Sequence, residues 1–252
     1  MTINPGWPVY TCLAVLMAIT VAAHRVSRFH LERDVLVAGA RAIVQLTVAA
    51  AVIATVLRSL PLSLLLTAVM FGLAVFTTTR RVGSGPAWPW TAAAMVCGIA
   101  PVMAVLLLTR TIPLEGIAII PIAGIIIGNT MTAHTLVGRR DFAALQEEHN
   151  QYEACLSLGM LPSQAIEEII HRRSPEALLP GLDQVKTTGV VTLPGAFIGV
   201  MLGGGTPAQA ATAQVLVLFG IMATQTVTVG VAERLIAARR LVPLSLRAEL
   251  ID

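Results

Sequence analysis

The chain has 252 residues, of which 56% are hydrophobic and only 12% charged, with a formal net charge of +3. A soluble domain carries about a quarter charged residues, so an ordinary soluble domain is excluded. The basic residues flank apolar runs instead of forming one surface, which argues against a nucleic-acid partner. Cys12, Cys97 and Cys155 are far apart, without ligand-like spacing, which rules out a disulfide scaffold.

In chain order, seven apolar segments approach the ~20 residues that a membrane-spanning helix needs. They run Trp7–Ala23, Val35–Leu57, Leu62–Thr78, Trp88–Thr109, Gly116–Val137, Thr187–Leu202 and Ala208–Ala232. The sixth is short and glycine-rich. The first also reads as a signal peptide, but no Lys or Arg precedes Arg25 to make a basic leader. The pattern predicts an all-α polytopic membrane protein, a single transmembrane domain over residues 1–252 in a cell (plasma or inner) membrane.

The basic residues predict its direction. Arg25, Arg28, Arg33, Arg80, Arg81, Arg139, Arg140, Arg172, Arg173, Lys186, Arg234, Arg239, Arg240 and Arg247 all fall on one side. Only Arg58 and Arg110 fall on the other, with Arg41 inside span two. An odd number of spans follows, with the N-terminus outside and a cytoplasmic tail over residues 233–252. The inner stretch 138–186 is too long for a simple connector. Apolar residues at Phe142, Leu145, Tyr152 and Leu156 predict a helix over Asp141 to Leu158, and a second is expected after Pro162 with Ser163 as cap. A structured inner loop suggests a docking surface.

The only lysine, Lys186, follows Val185, so the chain has no G-x-x-x-x-G-K-[ST] phosphate loop and cannot itself be a P-loop ATPase. Neither H-E-x-x-H nor G-x-S-x-G occurs. Every acidic residue lies outside the seven segments or at their ends. Proton-driven transporters place an ionisable relay inside the membrane, so a secondary transporter is disfavoured. An intramembrane enzyme would lack a nucleophile or metal constellation, and scattered methionines name no metal site.

Polar residues inside the spans are the informative ones. Arg41 and Gln45 share a face of span two; Arg41 either snorkels to the headgroups or has a buried structural or pathway role. In span five, Gly124 and Gly128 permit close helix contact, and Asn129 either bonds across it or lines a path. His134 reads as interfacial. Gly195, Gly199 and Gly203 make one smooth face in span six, with Pro194 breaking the ladder before them. Gln214 and Gln225 lie eleven apart in span seven, on nearly one face.

The inner loop contains Glu153-Ala154-Cys155-Leu156-Ser157-Leu158-Gly159. This resembles the E-A-A-x-x-x-G signature of the coupling helix in ABC-importer permeases, with Cys155 replacing the second alanine. Ile120 to Met131, then this segment, then Leu193 to Gly204 with Pro207, Ala210 and Gln214, form an ordered succession. It resembles the FetB-type iron-export permease family, related to plant aluminium-sensitivity permeases. Arg41 with Gln45-Leu46 resembles that family's early motif.

The resemblance implies a transport subunit that is no enzyme and binds no cofactor itself. It would work as a homodimer in the lipid bilayer with a separate ABC-type ATPase subunit carrying ATP-Mg. Glu153, Ala154 and Gly159 would couple to that ATPase. Arg41, Gln45, Asn129, Pro194, Gly195, Gly199, Gln214 and Gln225 would line the path or pack its helices. The resemblance leaves the cargo open between iron, another metal and a sugar nucleotide. The family usually has Met-Met-Thr-Gly where this chain has Ala196-Phe197-Ile198-Gly199, which bears on cargo if those residues touch it.

Overall fold

A computed structural model describes residues 6–56 and 59–250. They are helical, with no strand among them beyond one isolated bridge between Thr188 and Thr192. Their contacts divide into two units at Arg58/Ser59. Leu57, the expected end of span two, and Arg58 lie outside the described residues.

The first unit is a hairpin of α1 (Trp7–Val26) and α2 (Glu32–Val56). Pro8 opens α1, where a missing N–H costs nothing. The turn back uses Arg28 and His30 in the left-handed region, at φ 54° and 57°. Gly39 lets α2 close on the Met17 side chain. No described residue of this hairpin is buried. An apolar hairpin without an interior of its own suits a bilayer or a protein partner, not water.

The second unit begins with α3 (Leu60–Val82), a 3-10 turn (Gly85–Ala87), α4 (Trp88–Leu108) and α5 (Gly116–Glu147). There follow α6 (His149–Ser157), α7 (Pro162–Ile170), a second 3-10 turn (Ser174–Leu178) and α8 (Leu179–Thr187). α9 (Gly195–Leu202), α10 (Pro207–Ala237) and α11 (Leu244–Glu249) complete it. Close approaches at glycines set the helix directions. Met70 covers Gly124 and Val82 covers Gly138, so α3 and α5 run parallel. Gly98 meets Thr224 and Thr228, while Arg240 stacks 4.4 Å over Trp90, so α4 runs antiparallel to α10. Gly220 lies near Ile126, and Gln225 Nε2 donates to the Asn129 carbonyl at 3.3 Å, so α10 runs parallel to α5.

Between two parallel helices the chain must travel back along the bundle. Six helices of the described residues are long and apolar enough to cross a membrane; the return segment is not one of them. It corrects the expected span Thr187–Leu202. That span is no continuous helix: α8 ends at Thr187, and α9 holds only 8 residues. The physical cause sits between them. Gly189 takes φ +87°, and Pro194 can donate no hydrogen bond to continue a helix. The crossing also starts earlier than expected, because Gly181 already packs on Gln225, midway along α10.

Basic residues of this unit gather at one end. Arg80 and Arg81 close α3, Arg139 and Arg140 follow the Gly138 contact, and Arg239 and Arg240 follow α10 beside the start of α4. Arg110 follows α4 at the other end. At the basic end α5 runs ten residues past Val137, so the first loop helix is partly a continuation of the span. Pro162 is the first residue of α7, and Ser163 lies inside it; Gln164 Oε1 caps instead, accepting from the Leu161 N–H at 3.0 Å.

Candidate functional site

The α6–α7 hairpin presents the segment that resembles a coupling helix. α6 ends in a Schellman pattern: the Met160 N–H donates to Cys155 O at 3.1 Å and the Gly159 N–H to Leu156 O at 2.9 Å. That pattern needs a left-handed residue after the helix, and Gly159 supplies it at φ +87°. The tip is apolar and exposed, with Leu158 at 85% and Leu161 at 62% of full exposure. Glu153 and Ala154 are also exposed, and Glu153 lies 3.4 Å from His149 one turn back.

Beneath that tip the hairpin is firmly seated. Tyr152 and Cys155 of α6, and Ala165, Ile166, Ile169 and Ile170 of α7, are buried in one cluster with Leu145, Ile236, Leu241 and Leu246. The α7 pattern of apolar residues three and four apart makes this stripe. The tail closes over it: the Tyr152 hydroxyl donates to Leu250 O at 2.9 Å, and Arg239 Nη1 donates to the same carbonyl at 3.3 Å. Burial pushes the Tyr152 phenol up, against the lowering charge of Arg239.

Two buried polar features here escaped sequence reasoning. Asp141 of α5 is fully buried and accepts from Ser174 Oγ at 3.1 and 3.0 Å. Its position one turn beyond Val137 was the available signal, had the span been extended. His134, which read as interfacial, is 1% exposed and so is enclosed by the protein near the basic end of α5. It lies one turn before Gly138, as Thr78 lies one turn before Val82, which places both at one level between α3 and α5. Thr78 and both His134 ring nitrogens have no hydrogen-bond partner among the described residues.

The middle of the bundle brings two expected residues together, Gln225 and Asn129. Gln225 is 6% exposed and links α10 to the Asn129 backbone. A Cβ on Gly181 would collide with its carboxamide, so α8 is also held there. The Asn129 side chain turns back onto Ile125 O at 2.9 Å; the bond across helices is made by its backbone carbonyl. Gln214, 5% exposed, lines a cavity of about 250 Å³ at the break between α8 and α9, together with Thr188, Gly189, Pro194 and Phe197. Its Oε1 has no partner among the described residues. Gly195 and Gly199 face open space, so their small size serves no contact within the described residues. Gly203 caps α9 instead of lying within it. Arg41 and Gln45 are exposed on α2, in the other unit. No group of three or more His, Cys, Asp or Glu side chains able to hold a metal occurs among the described residues.

Six long apolar helices, a broken return crossing and a cored helical platform at one end define a multi-pass all-α membrane protein. Comparison with known proteins agrees and is more specific. The Uncharacterised protein family (UPF0014) matches residues 8–241, and the chain belongs to that family. It is 32% identical over 216 residues to rice UPF0014 membrane protein STAR2, covering 84% of this chain and 76% of that one. It is 31% identical over 226 residues to the probable iron export permease protein FetB of Escherichia coli, covering 87% of each. Protein ALUMINUM SENSITIVE 3 of Arabidopsis is 27% identical over 224 residues, or 88% of this chain and 81% of that one. No solved structure matches the chain.

Proposed function

We propose that this protein is the membrane-spanning permease subunit of an ABC transporter, exporting iron or another metal, with energy from a separate ATPase subunit. The observation that carries the reading is the α6–α7 tip. Two exposed leucines flank a left-handed glycine on a platform whose underside is buried. An apolar projection on a rigid base suits insertion into a groove on a partner, and the partner is the ATPase. The name of the FetB relative, a probable iron export permease, supports the permease and iron parts of the reading.

The platform end is cytoplasmic in this reading, by the positive-inside rule, which puts the N-terminus outside and the protein in the plasma or inner membrane. Two copies of the chain form the translocating dimer. ATP-Mg stays on the partner subunits, and this chain holds no cofactor. Their closure on ATP pulls the α6–α7 platform, which is continuous with α5 and packed on α10.

The test is solute uptake into inside-out proteoliposomes holding this chain and its cognate ATPase, with Fe²⁺, other divalent metals and a sugar nucleotide offered in parallel. Uptake of a metal that requires hydrolysable ATP is the expected result. Sugar-nucleotide uptake alone would replace the cargo and keep the class. Uptake driven by an ion gradient without ATP would establish a secondary transporter and sink the proposal.

A further inference from the structure

The return crossing carries charge at the middle of the bundle. α4 spans Trp88 to Leu108, and its central Gly98 packs on Thr224 and Thr228 of α10. Gln225 therefore sits near mid-depth, and Gly181 of α8 sits against Gln225. Asp183 and Lys186 follow two and five residues later, a rise of roughly 3 and 7.5 Å in a helix. Both lie within the membrane thickness, not in the loop where their sequence position suggested.

Their direction is as informative as their depth. Gly181, Val185 and Thr188 form the side of α8 turned to α10, as the Gly181 contact and the cavity lining require. Asp183 and Lys186 lie on the opposite side, 68% and 70% exposed, with Thr187 exposed beside them. Among the described residues the two charges pair only with each other, Lys186 Nζ to Asp183 Oδ1 at 3.4 Å. Lipid is a poor neighbour for such a face, because intramembrane charges turn to protein or water-filled space. Irregular backbone like that of residues 188–194 is tolerated at membrane depth under the same condition.

We infer that the Asp183–Lys186 face of α8 lines a water-filled translocation path, closed on its far side by the second copy of the chain, and that the path takes hydrophilic, charged solutes. The inference rests on the permease reading for its cargo, but not for its water. A face bearing one charge of each sign can follow a cation or an anion without leaving either charge unmatched. The break after α8 places the unpartnered Gln214 oxygen further along the same return crossing.

Water access can be read without any ATPase. In membrane vesicles, single cysteines are placed on a background with Cys12, Cys97 and Cys155 replaced by alanine. Each is then exposed to a membrane-impermeant, charged thiosulfonate. Asp183→Cys, Lys186→Cys and Thr187→Cys are compared with Leu73→Cys on α3 and Val105→Cys on α4, exposed apolar positions. Thiosulfonates react with the thiolate, which needs water to form, so the α8 positions should label at least about tenfold faster. Thr187→Cys leaves the ion pair intact and keeps the comparison valid if either charged variant misfolds. Labelling at Thr187→Cys no faster than at Leu73→Cys would overturn the inference. Fast labelling without ATP-dependent transport would leave the water path standing and remove the ABC reading instead.

Discussion

The α6–α7 platform and the α8–α9 crossing reverse what their compositions suggest. The platform is drawn from a polar, charged stretch, yet Ala165, Ile166 and Ile170 are fully buried. The crossing is drawn from an apolar, glycine-rich stretch, yet α9 buries no residue at all. A helix beside water must bury its apolar stripe, and α7 does so against α5, α10 and the tail. A helix within a bilayer faces no such demand, since lipid tails are as apolar as leucine. Packing within one chain is therefore tight in the platform and sparse in the crossing.

Truncation of the platform core should have the largest effect. Ile169→Ala deletes a 1%-exposed side chain from a water-adjacent core, a change costing about 2–5 kcal/mol. The melting midpoint in detergent should fall markedly, and limited proteolysis should cut between α6 and α7. A midpoint unchanged from wild type would mean that the platform is not the tight region.

The crossing is sharpened by two glycines with opposite surroundings. Gly181→Val must displace the Gln225 carboxamide and should cost about 1–3 kcal/mol by overpacking. Gly199→Ala enters open space and should change stability by less than about 0.5 kcal/mol. Equal midpoints for the two variants would break the placement of α8 on α10. A large loss from Gly199→Ala would show that a partner chain already occupies that face.

Ser174→Ala removes the hydroxyl that donates to buried Asp141. An unsatisfied buried acceptor costs about 1–3 kcal/mol. Adding Asp141→Asn to this variant should recover part of the loss; no recovery would mean that Asp141 is not the affected group.

The smallest effect concerns pH. His171 Nδ1 donates to Glu233 at 2.7 Å, and that hydrogen bond, then the charge of Glu233, raises the imidazole above its ordinary value. The resulting stability is fully present below an unfolded pKa of about 6.5 and is lost as pH rises through the raised folded value. Solvent screens this exposed ring, so the change should be slight. The midpoint of wild type relative to His171→Ala should fall from about pH 6 to pH 9; a constant difference would remove the pair from the account.

Much of the fold was legible in the sequence, since long apolar runs need only length and hydropathy to be seen. Spans one to five and seven match helices to within a few residues at most ends. The sixth crossing was not legible because it starts in Ser174–Leu178 and α8, which carry Asp183 and Lys186 and read as loop. Composition cannot reveal a charge stationed at mid-depth when a path or partner solvates it. The polar residues of the candidate site were partly legible. Gln225 and Asn129 do meet, but through a backbone carbonyl that no side-chain pattern announces. His134 read as interfacial from its place near the end of the span; its burial depends on packing between helices, which no local pattern announces.

The central claim is that the α6–α7 tip receives the ATPase, and Gly159 tests it most directly. Valine at φ +87° pays the left-handed penalty, about 1–2 kcal/mol or more for a β-branched side chain. It does so at an exposed position with open space around it. The measurement is cargo-stimulated ATP hydrolysis by the reconstituted complex, wild type against Gly159→Val, with insertion and melting midpoint checked in the same preparations. The account predicts a variant that inserts and packs its membrane helices normally but loses stimulation or partner binding. Wild-type hydrolysis and transport from a well-folded Gly159→Val complex would contradict it and leave the hairpin a connector.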